Sequence, residues 1–264
     1  MSAKSNKAWG RLAELSLPTL SVVAFIVLWE VIVRWRGIAP IFLPAPSSIA
    51  YYLWGMIQDG TLEYNLGITL LRIVVGFLLA AVTGVLLGVL MGMSRLVARV
   101  ADIWIAMFYP LPKISLIPLL IIWLGTGEAS KIVISVISAF FPVVISTYAG
   151  IRQVDRGLIK AAKDLGADWR QIQLKVVIPA AIPGILSGLQ LGMGITIILI
   201  VAAEMIGGSS DGGMGYLLIN AGQVMETEKV FASLVALAVM GAVIMKLQQW
   251  ADRKIAPWIE HDGH

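Results

Sequence analysis

Six long apolar stretches constrain this chain more than any other feature of its sequence. A helix needs about 20 apolar residues to cross the hydrocarbon core of a bilayer, and the stretches are close to that length or longer. They leave the chain 58% hydrophobic and only 14% charged, against roughly 25% charged residues in soluble domains. We therefore predict an all-α integral membrane protein with six transmembrane helices, at residues 18–33, 66–93, 101–124, 132–149, 178–206 and 230–248.

The first stretch has two interpretations. A basic start followed by an apolar core is also the pattern of a signal peptide. No small-residue cleavage site follows the core, whereas Trp35 and Arg36 do, as in an interfacial anchor. We therefore predict a retained span. The region that follows, residues 37–65, contains an aromatic amphipathic piece at 49–57 that is predicted to lie along the membrane surface.

Two of the stretches carry a small residue at every fourth position. This spacing gives one face of a helix almost no side chains, which lets another helix approach closely in lipid. We predict tight helix packing along both stripes. The first stripe consists of Gly76, Ala80, Gly84, Gly88 and Gly92, and the second of Ala180, Gly184, Gly188, Gly192 and Thr196.

The third stretch is interrupted by two prolines, which remove backbone donors and kink or break a helix. A membrane tolerates such a break only where the freed carbonyl groups face protein or a water-filled cavity. The residues at the break are therefore predicted to line a translocation pathway. They are Tyr109, Pro110, Pro112 and Lys113. Lys113 would either face the cavity, where its charge suits an anionic substrate, or cap the freed carbonyl groups.

Arg72 and Glu204 are two further charges within predicted spans. A charge at such a position costs at least roughly 2.5 kcal/mol on insertion scales, so it usually has a structural or functional reason. Arg72 would either line the pathway or extend to the lipid headgroups near its end of the span. Glu204 is predicted to be a structural partner or a gate residue.

A charged segment separates the fourth and fifth stretches. Within it Leu158, Ala161, Ala162 and Leu165 have the spacing of one helix face. Asp155 and Gly166 supply start and stop signals. Asp168 and Gln171 then form a variant of the capping box that opens a second helix, with Trp169 in its first turn. Two short helices between membrane spans predict a docking surface.

The distribution of basic residues predicts the orientation of the chain. Lys and Arg are enriched in the cytoplasmic loops of membrane proteins. With six spans and a cytoplasmic N-terminus, most of the 20 Lys and Arg residues fall on the cytoplasmic side, including those of the charged segment. Both termini are thus predicted to be cytoplasmic. The longest outer loops, 37–65 and 207–229, are therefore available to contact a partner on the outer side of the membrane.

Several kinds of active site are excluded by missing residue types. The chain has no cysteine, and its two histidines, His261 and His264, lie in the tail. A His-ligated metal site in the membrane and a Ser-His-acid trio are therefore excluded. No Gly-x-x-x-x-Gly-Lys-Ser/Thr pattern for nucleotide binding is present either. Together with the docking surface, this absence fits a channel or transport subunit whose engine is another polypeptide, and we predict that the chain is not an enzyme.

Residues 160–179 resemble the EAA motif of binding-protein-dependent ABC importer permeases, which reads Glu-Ala-Ala, three residues, Gly, nine residues, Ile-x-Leu-Pro. Ala161, Ala162, Gly166 and Pro179 match this motif, whereas Lys160 stands where the motif has Glu. Further segments resemble the branch of the family that imports nitrate, sulfonates, taurine and bicarbonate. They lie at 42–46, 109–119, 123–131 and 202–206.

The resemblance implies a type I ABC importer permease of the bacterial inner membrane. Two copies, a homodimer, would form the pathway for a small anionic solute. A periplasmic or lipid-anchored binding protein would deliver this solute, and two ATPase subunits, which bind ATP and Mg²⁺, would drive its import. No cofactor is expected on this chain. The residues that would couple it to the ATPases are Leu158, Lys160, Ala161, Ala162, Leu165, Gly166, Ala167, Trp169 and Pro179.

The expected organisation is a single permease domain over residues 1–264, with a core at 66–250 and a cytoplasmic coupling loop at 154–178. Two other classes of protein remain open at this point. A secondary transporter would explain the broken helix and the intramembrane charges, although the chain shows no inverted repeat. A membrane scaffold would explain the docking surface without any pathway.

Overall fold

The computed structural model describes residues 3–207 and 212–258, except for the side chains of residues 3–16 and 18. The described chain consists of helices and their connections. The helices are α1 (Ala3–Arg36), α2 (Pro46–Gln58), α3 (Thr61–Met93), α4 (Arg95–Phe108), α5 (Ile117–Leu124), α6 (Glu128–Arg152), α7 (Arg156–Asp164), α8 (Trp169–Ile172), α9 (Ile178–Gly207), α10 (Met214–Gln223) and α11 (Thr227–Ile255).

Four helical segments are long and apolar enough to cross a membrane. The helices α4 and α5 meet at an 85° bend, and together they would make a fifth span. The expected span at 18–33 lies in α1, in which the side chains of residues 3–16 and 18 are not described. The prediction of an all-helical membrane protein is confirmed, whereas the count of six spans is not. The four segments are Thr61–Met93, Glu128–Arg152, Trp169–Gly207 and Thr227–Ile255.

The chain divides into two compact units, Met1–Leu62 with Leu218–Ala236 and Glu63–Leu217 with Leu237–His264. In the first unit the C-terminal end of α1 is joined to the start of α2. The backbone N–H and the hydroxyl of Ser47 donate to the Glu30 carboxylate at 3.0 and 2.8 Å. Arg34 forms an ion pair with the same carboxylate. The aromatic piece expected at 49–57 therefore lies in a helix whose first turn is anchored.

In the second unit α6 packs against α3 on one side and α9 on another. The stripe on α3 faces α6 so closely that a Cβ atom added at Gly88 would lie 2.6 Å from Thr147 Cβ, and one added at Gly84 would lie 2.9 Å from Val143 Cγ1. The stripe on α9 also faces α6, where a Cβ atom added at Gly188 would lie 2.6 Å from Ser146 Cβ. Each stripe thus uses the absence of side chains to bring two helix backbones together.

Two regions differ from the sequence-based expectations. Arg95 and Arg99, which lie between the predicted spans 66–93 and 101–124, belong to α4, which begins after Ser94 accepts a hydrogen bond from the Val97 backbone N–H. The polar region 207–229, expected to be a flexible loop, contains the helix α10. Gly212 and Gly213 precede α10, which begins at Met214, but Gly215 and Gly222 lie within the helix. Residues 208–211 of this expected loop lie outside the described part of the chain.

Candidate functional site

The charged segment folds as two capped helices joined by a tight turn. The side chain of Asp155 accepts a hydrogen bond from the Gly157 N–H at 2.8 Å and so begins α7. Gly166 has φ +83°, the left-handed conformation that ends a helix with little cost only at glycine. The N–H of Ala167 donates to the Ala162 carbonyl and that of Gly166 to the Lys163 carbonyl, which is a Schellman motif. This turn fixes the direction in which α8 leaves.

The start of α8 has the capping box that its sequence predicts. The Asp168 side chain accepts from the Gln171 N–H at 2.7 Å, and the Gln171 side chain accepts from the Asp168 N–H at 3.0 Å. These two bonds satisfy backbone donors that a helix of only four residues would otherwise leave to water. The two short helices are therefore held by defined caps.

The exposed side of this segment carries three large apolar side chains among its charged ones. Leu165 is 89% exposed, Trp169 56% and Leu158 52%. Lys160 and Ala161 are exposed as well. We call this set, Leu158, Lys160, Ala161, Leu165 and Trp169, the outer face of the segment.

Two of the residues expected on the docking face point inward instead. Ala162 and Ala167 pack with Ile159 against a buried cluster that contains Ile151 and Ile172. The Schellman motif explains this difference, because it brings the residue after the glycine against the residue three positions before the helix cap. Ala162 and Ala167 thus attach the segment to the membrane core.

A π-helical turn, Gln173–Val177, connects this segment to α9. The Ile178 N–H donates to the Gln173 carbonyl, five residues back. Pro179 has no N–H, so it cannot close the normal bond to Lys175, and its ring crowds that carbonyl. We attribute the wider turn to this proline. Pro179 itself is half-buried where the turn enters α9.

The proline break between α4 and α5 places Lys113 over the carbonyl groups that the break frees. Its Nζ donates to the Tyr109 carbonyl at 2.9 Å and lies 5.0 Å from the Tyr109 ring centroid and 5.6 Å from that of Phe141. Of the two sequence-based alternatives, the structure shows the capping of a carbonyl group. Pro110 and Pro112 are exposed at the same break.

Arg72 and Glu204 meet in a buried ion pair. Arg72 Nη1 donates to Glu204 Oε1 at 2.7 Å and to the Gly212 carbonyl at 3.0 Å. Neither side chain has any exposed area. The other edge of the guanidinium is bidentate with Glu128, through Nε at 2.8 Å to Oε2 and through Nη2 to Oε1. The prediction that Arg72 extends to the lipid headgroups is therefore wrong.

The Glu204 carboxylate has further donors around it. The Thr69 hydroxyl lies 2.9 Å from both of its oxygens, and the Gly215 N–H donates to Oε2 at 2.9 Å. A buried carboxylate is stable only when its lone pairs are satisfied in this way. The cluster of Arg72, Glu128, Glu204 and Thr69, which we call the ion cluster, thus connects α3, α6, α9 and the segment before α10.

Comparison with known proteins identifies the chain. Residues 84–257 match the family described as binding-protein-dependent transport system inner membrane component. The chain belongs to this family. It is the permease subunit of an ABC importer and not an enzyme, and such a permease works with an ATPase and a solute-binding protein.

Several relatives resemble the permease over nearly its whole length. A putative aliphatic sulfonates transport permease of Bacillus subtilis is 36% identical over 96% of this chain and 90% of that protein. A putative ABC transporter permease of Methanocaldococcus jannaschii is 37% identical over 93% and 91%. The taurine transport system permease of Escherichia coli is 32% identical over 94% and 90%. This similarity confirms the branch to which the sequence motifs pointed.

Solved transporters share the fold of the permease. An inward-facing MetNI methionine ABC transporter matches with a TM-score of 0.58 at 23% identity, over 71% of this chain and 92% of that one. An amino acid ABC transporter matches with a TM-score of 0.57 at 21% identity, over 76% and 98%. The predicted importer permease fold is therefore confirmed.

Sequence reasoning missed three residues of the permease, two in the ion cluster and one beside it. Glu128 lies outside the predicted spans, and Thr69 and Asn65 are ordinary polar residues near the start of one. The Gly213 N–H donates to Asn65 Oδ1 and the Met214 N–H to Thr69 Oγ1, both at 2.8 Å. A search for a carboxylate near the same membrane depth as Arg72 would have found Glu128.

Proposed function

We propose that the permease imports a small sulfonate anion as a homodimer driven by two ATPase subunits. The relatives described above are named for transport of aliphatic sulfonates and of taurine, and a sulfonate group is common to these solutes. ATP and Mg²⁺ bind to the ATPases, and a separate solute-binding protein delivers the anion. The family description supports a location in the bacterial inner membrane, and the Lys and Arg distribution supports an orientation with both termini in the cytoplasm.

The outer face of the segment 154–178 is proposed as the docking site of the ATPase, and this feature carries the proposal. Rigidly held apolar side chains act as anchors at protein interfaces. The caps of α7 and α8 hold Leu165 and Trp169 without the support of a partner. The inward packing of Ala162 and the π-helical turn join this face to α9. Motion of an attached ATPase would therefore reach the membrane helices directly.

Replacing Leu165 with glutamate is expected to release the ATPase from the permease. The Leu165 side chain is 89% exposed, so the fold of the permease should not change. A charge buried in the apolar interface should weaken binding of the ATPase by about 2 kcal/mol or more. Co-purification of the ATPase from membranes measures the effect. Ile255→Glu is a matched control, since Ile255 is 55% exposed and lies outside the proposed face. Normal co-purification of Leu165→Glu would place the docking site elsewhere.

Lys113 is proposed to face the pathway and attract the anion while it holds the broken helix. Lys113→Ala is expected to slow ATP-driven uptake of a labelled sulfonate about tenfold in vesicles with all subunits, since bonds to charged groups contribute roughly 1.5–3 kcal/mol. Lys246→Ala, at an exposed lysine of α11, is the control and should not change uptake. Unchanged uptake in Lys113→Ala would remove Lys113 from the pathway.

The roles of the other candidate pathway residues are part of the same proposal. Tyr109, Pro110 and Pro112 form the break at which the carbonyl groups are freed. Arg72 and Glu204 are fully buried within one copy, so we propose that they support the pathway wall rather than contact the anion. Uptake that runs on a proton gradient without ATP would contradict the whole proposal.

A further inference from the structure

A basic cavity lies where α3 ends, α4 begins and α6 ends. Its volume is about 570 Å³. Three guanidinium groups and one carboxylate provide its charged lining, so the cavity is positively charged. These groups belong to Arg95, Arg99, Arg152 and Asp102. None of them belongs to the coupling segment, the proline break or the ion cluster.

The three arginines line one cavity, and the side chain of one of them is fixed by a neighbour. Arg152 Nη1 donates to the Tyr148 hydroxyl at 3.0 Å, and its guanidinium carbon lies 5.7 Å from the Tyr148 ring centroid, so this side chain is held in place. Arg95 and Arg99 are exposed and form no ion pair with a described residue. Guanidinium groups bind phosphate oxygens in a bidentate manner, which favours a phosphate here.

The helix face next to the arginines is apolar and uncovered. Helical spacing places Leu96 and Ile103 beside Arg99, and their side chains are 73% and 63% exposed. Leu96 also lines an apolar groove of about 640 Å³ along α4, together with Trp104 and Phe141. An amphiphile can therefore contact the arginines with its headgroup and α4 with its chains.

We propose that this site binds an anionic phospholipid, with its phosphate at Arg95, Arg99 and Arg152 and its acyl chains along α4. A free sulfonate or phosphate ion could satisfy the arginines but would leave the apolar face unused. Basic pockets between membrane helices on the cytoplasmic side are a known mode of anionic lipid recognition. The positive-inside distribution predicts that side for the ends of α3 and α6.

The test is native mass spectrometry of the full transporter released from nanodiscs that contain equal amounts of phosphatidylglycerol and phosphatidylcholine. The wild type is expected to retain phosphatidylglycerol. The double variant Arg95→Gln/Arg99→Gln should lose this preference by about thirtyfold, since each basic side chain near anionic lipid contributes roughly fivefold. The control Arg253→Gln/Lys254→Gln removes two exposed charges from α11 and should keep the preference.

Three outcomes would overturn the proposal. Equal retention of both lipids by the wild type would exclude a lipid site. Displacement of the retained phosphatidylglycerol from the wild type by millimolar inorganic phosphate or methanesulfonate would assign the cavity to a free anion. A second measurement needs no variant: hydrogen exchange of residues 94–102 should be slower in phosphatidylglycerol than in phosphatidylcholine nanodiscs. Equal exchange in both would also contradict the proposal.

Discussion

Replacing Arg72 with alanine is expected to destabilise the permease by about 3–5 kcal/mol, which is the usual cost of removing one partner of a buried ion pair. The loss would leave the Glu204 carboxylate buried without its cation, although Thr69 and the Gly215 N–H still donate to it. It would also leave the Gly212 carbonyl without its donor. In detergent the apparent Tm should fall by about 10 °C, at roughly 2–4 °C per kcal/mol.

A double variant separates charge burial from packing. Arg72→Leu/Glu204→Leu leaves no charge in the fully buried part of the cluster, because the remaining Glu128 side chain is 50% exposed. Its Tm should recover part of the loss, since apolar replacement of a whole buried pair is often neutral or stabilising. Arg36→Ala, at an exposed arginine, is the control. A double variant no more stable than Arg72→Ala would contradict this account.

Replacing Gly184 with alanine should destabilise the permease by about 1–3 kcal/mol, the range for overpacked cores. The new Cβ would lie 2.8 Å from the Gly150 Cα on α6, and a backbone atom cannot rotate away as a side chain can. The helices α6 and α9 would have to separate. Thermal unfolding in detergent measures the loss, and sulfonate uptake should fall with it if these helices transmit the ATPase motion.

The helix α9 supplies its own control for this substitution. Gly194 lies on the same helix, and a Cβ added there meets nothing within 4 Å. Gly194→Ala should therefore raise the free energy of unfolding by up to roughly 1 kcal/mol, because alanine is the better helix former. The two substitutions are chemically identical and have opposite expected signs. Equal effects would mean that the stripe does not form the contact.

Local signals in the sequence predicted local structure well. The caps of α7 and α8 follow from residues within four positions of each other, and the break between α4 and α5 follows from two prolines. The glycine stripes predicted that helices approach closely, but a stripe does not specify its partner. Both stripes meet α6, whose own sequence carries a mixture of small and larger residues at the contacts.

The sequence did not predict which side chains far apart along the chain would pair. Arg72 and Glu204 are 132 residues apart, and Arg72 and Glu128 are 56 apart, so no helical or turn spacing relates them. The inward direction of Ala162 was missed for another reason. Its spacing places it near the apolar face of α7, but the Schellman motif and the cluster around Ile151 decide which edge of that face is covered.

The position of α6 between the two glycine stripes limits how the permease can change shape. Helices whose backbones are in contact through interlocked small residues cannot slide by less than one repeat of four residues, which is about 6 Å. Since α3 and α9 are both held in this way by α6, we expect the three helices to move as one rigid body. A hinge used during transport is then expected in segments outside this triplet, of which the 85° corner between α4 and α5 is one.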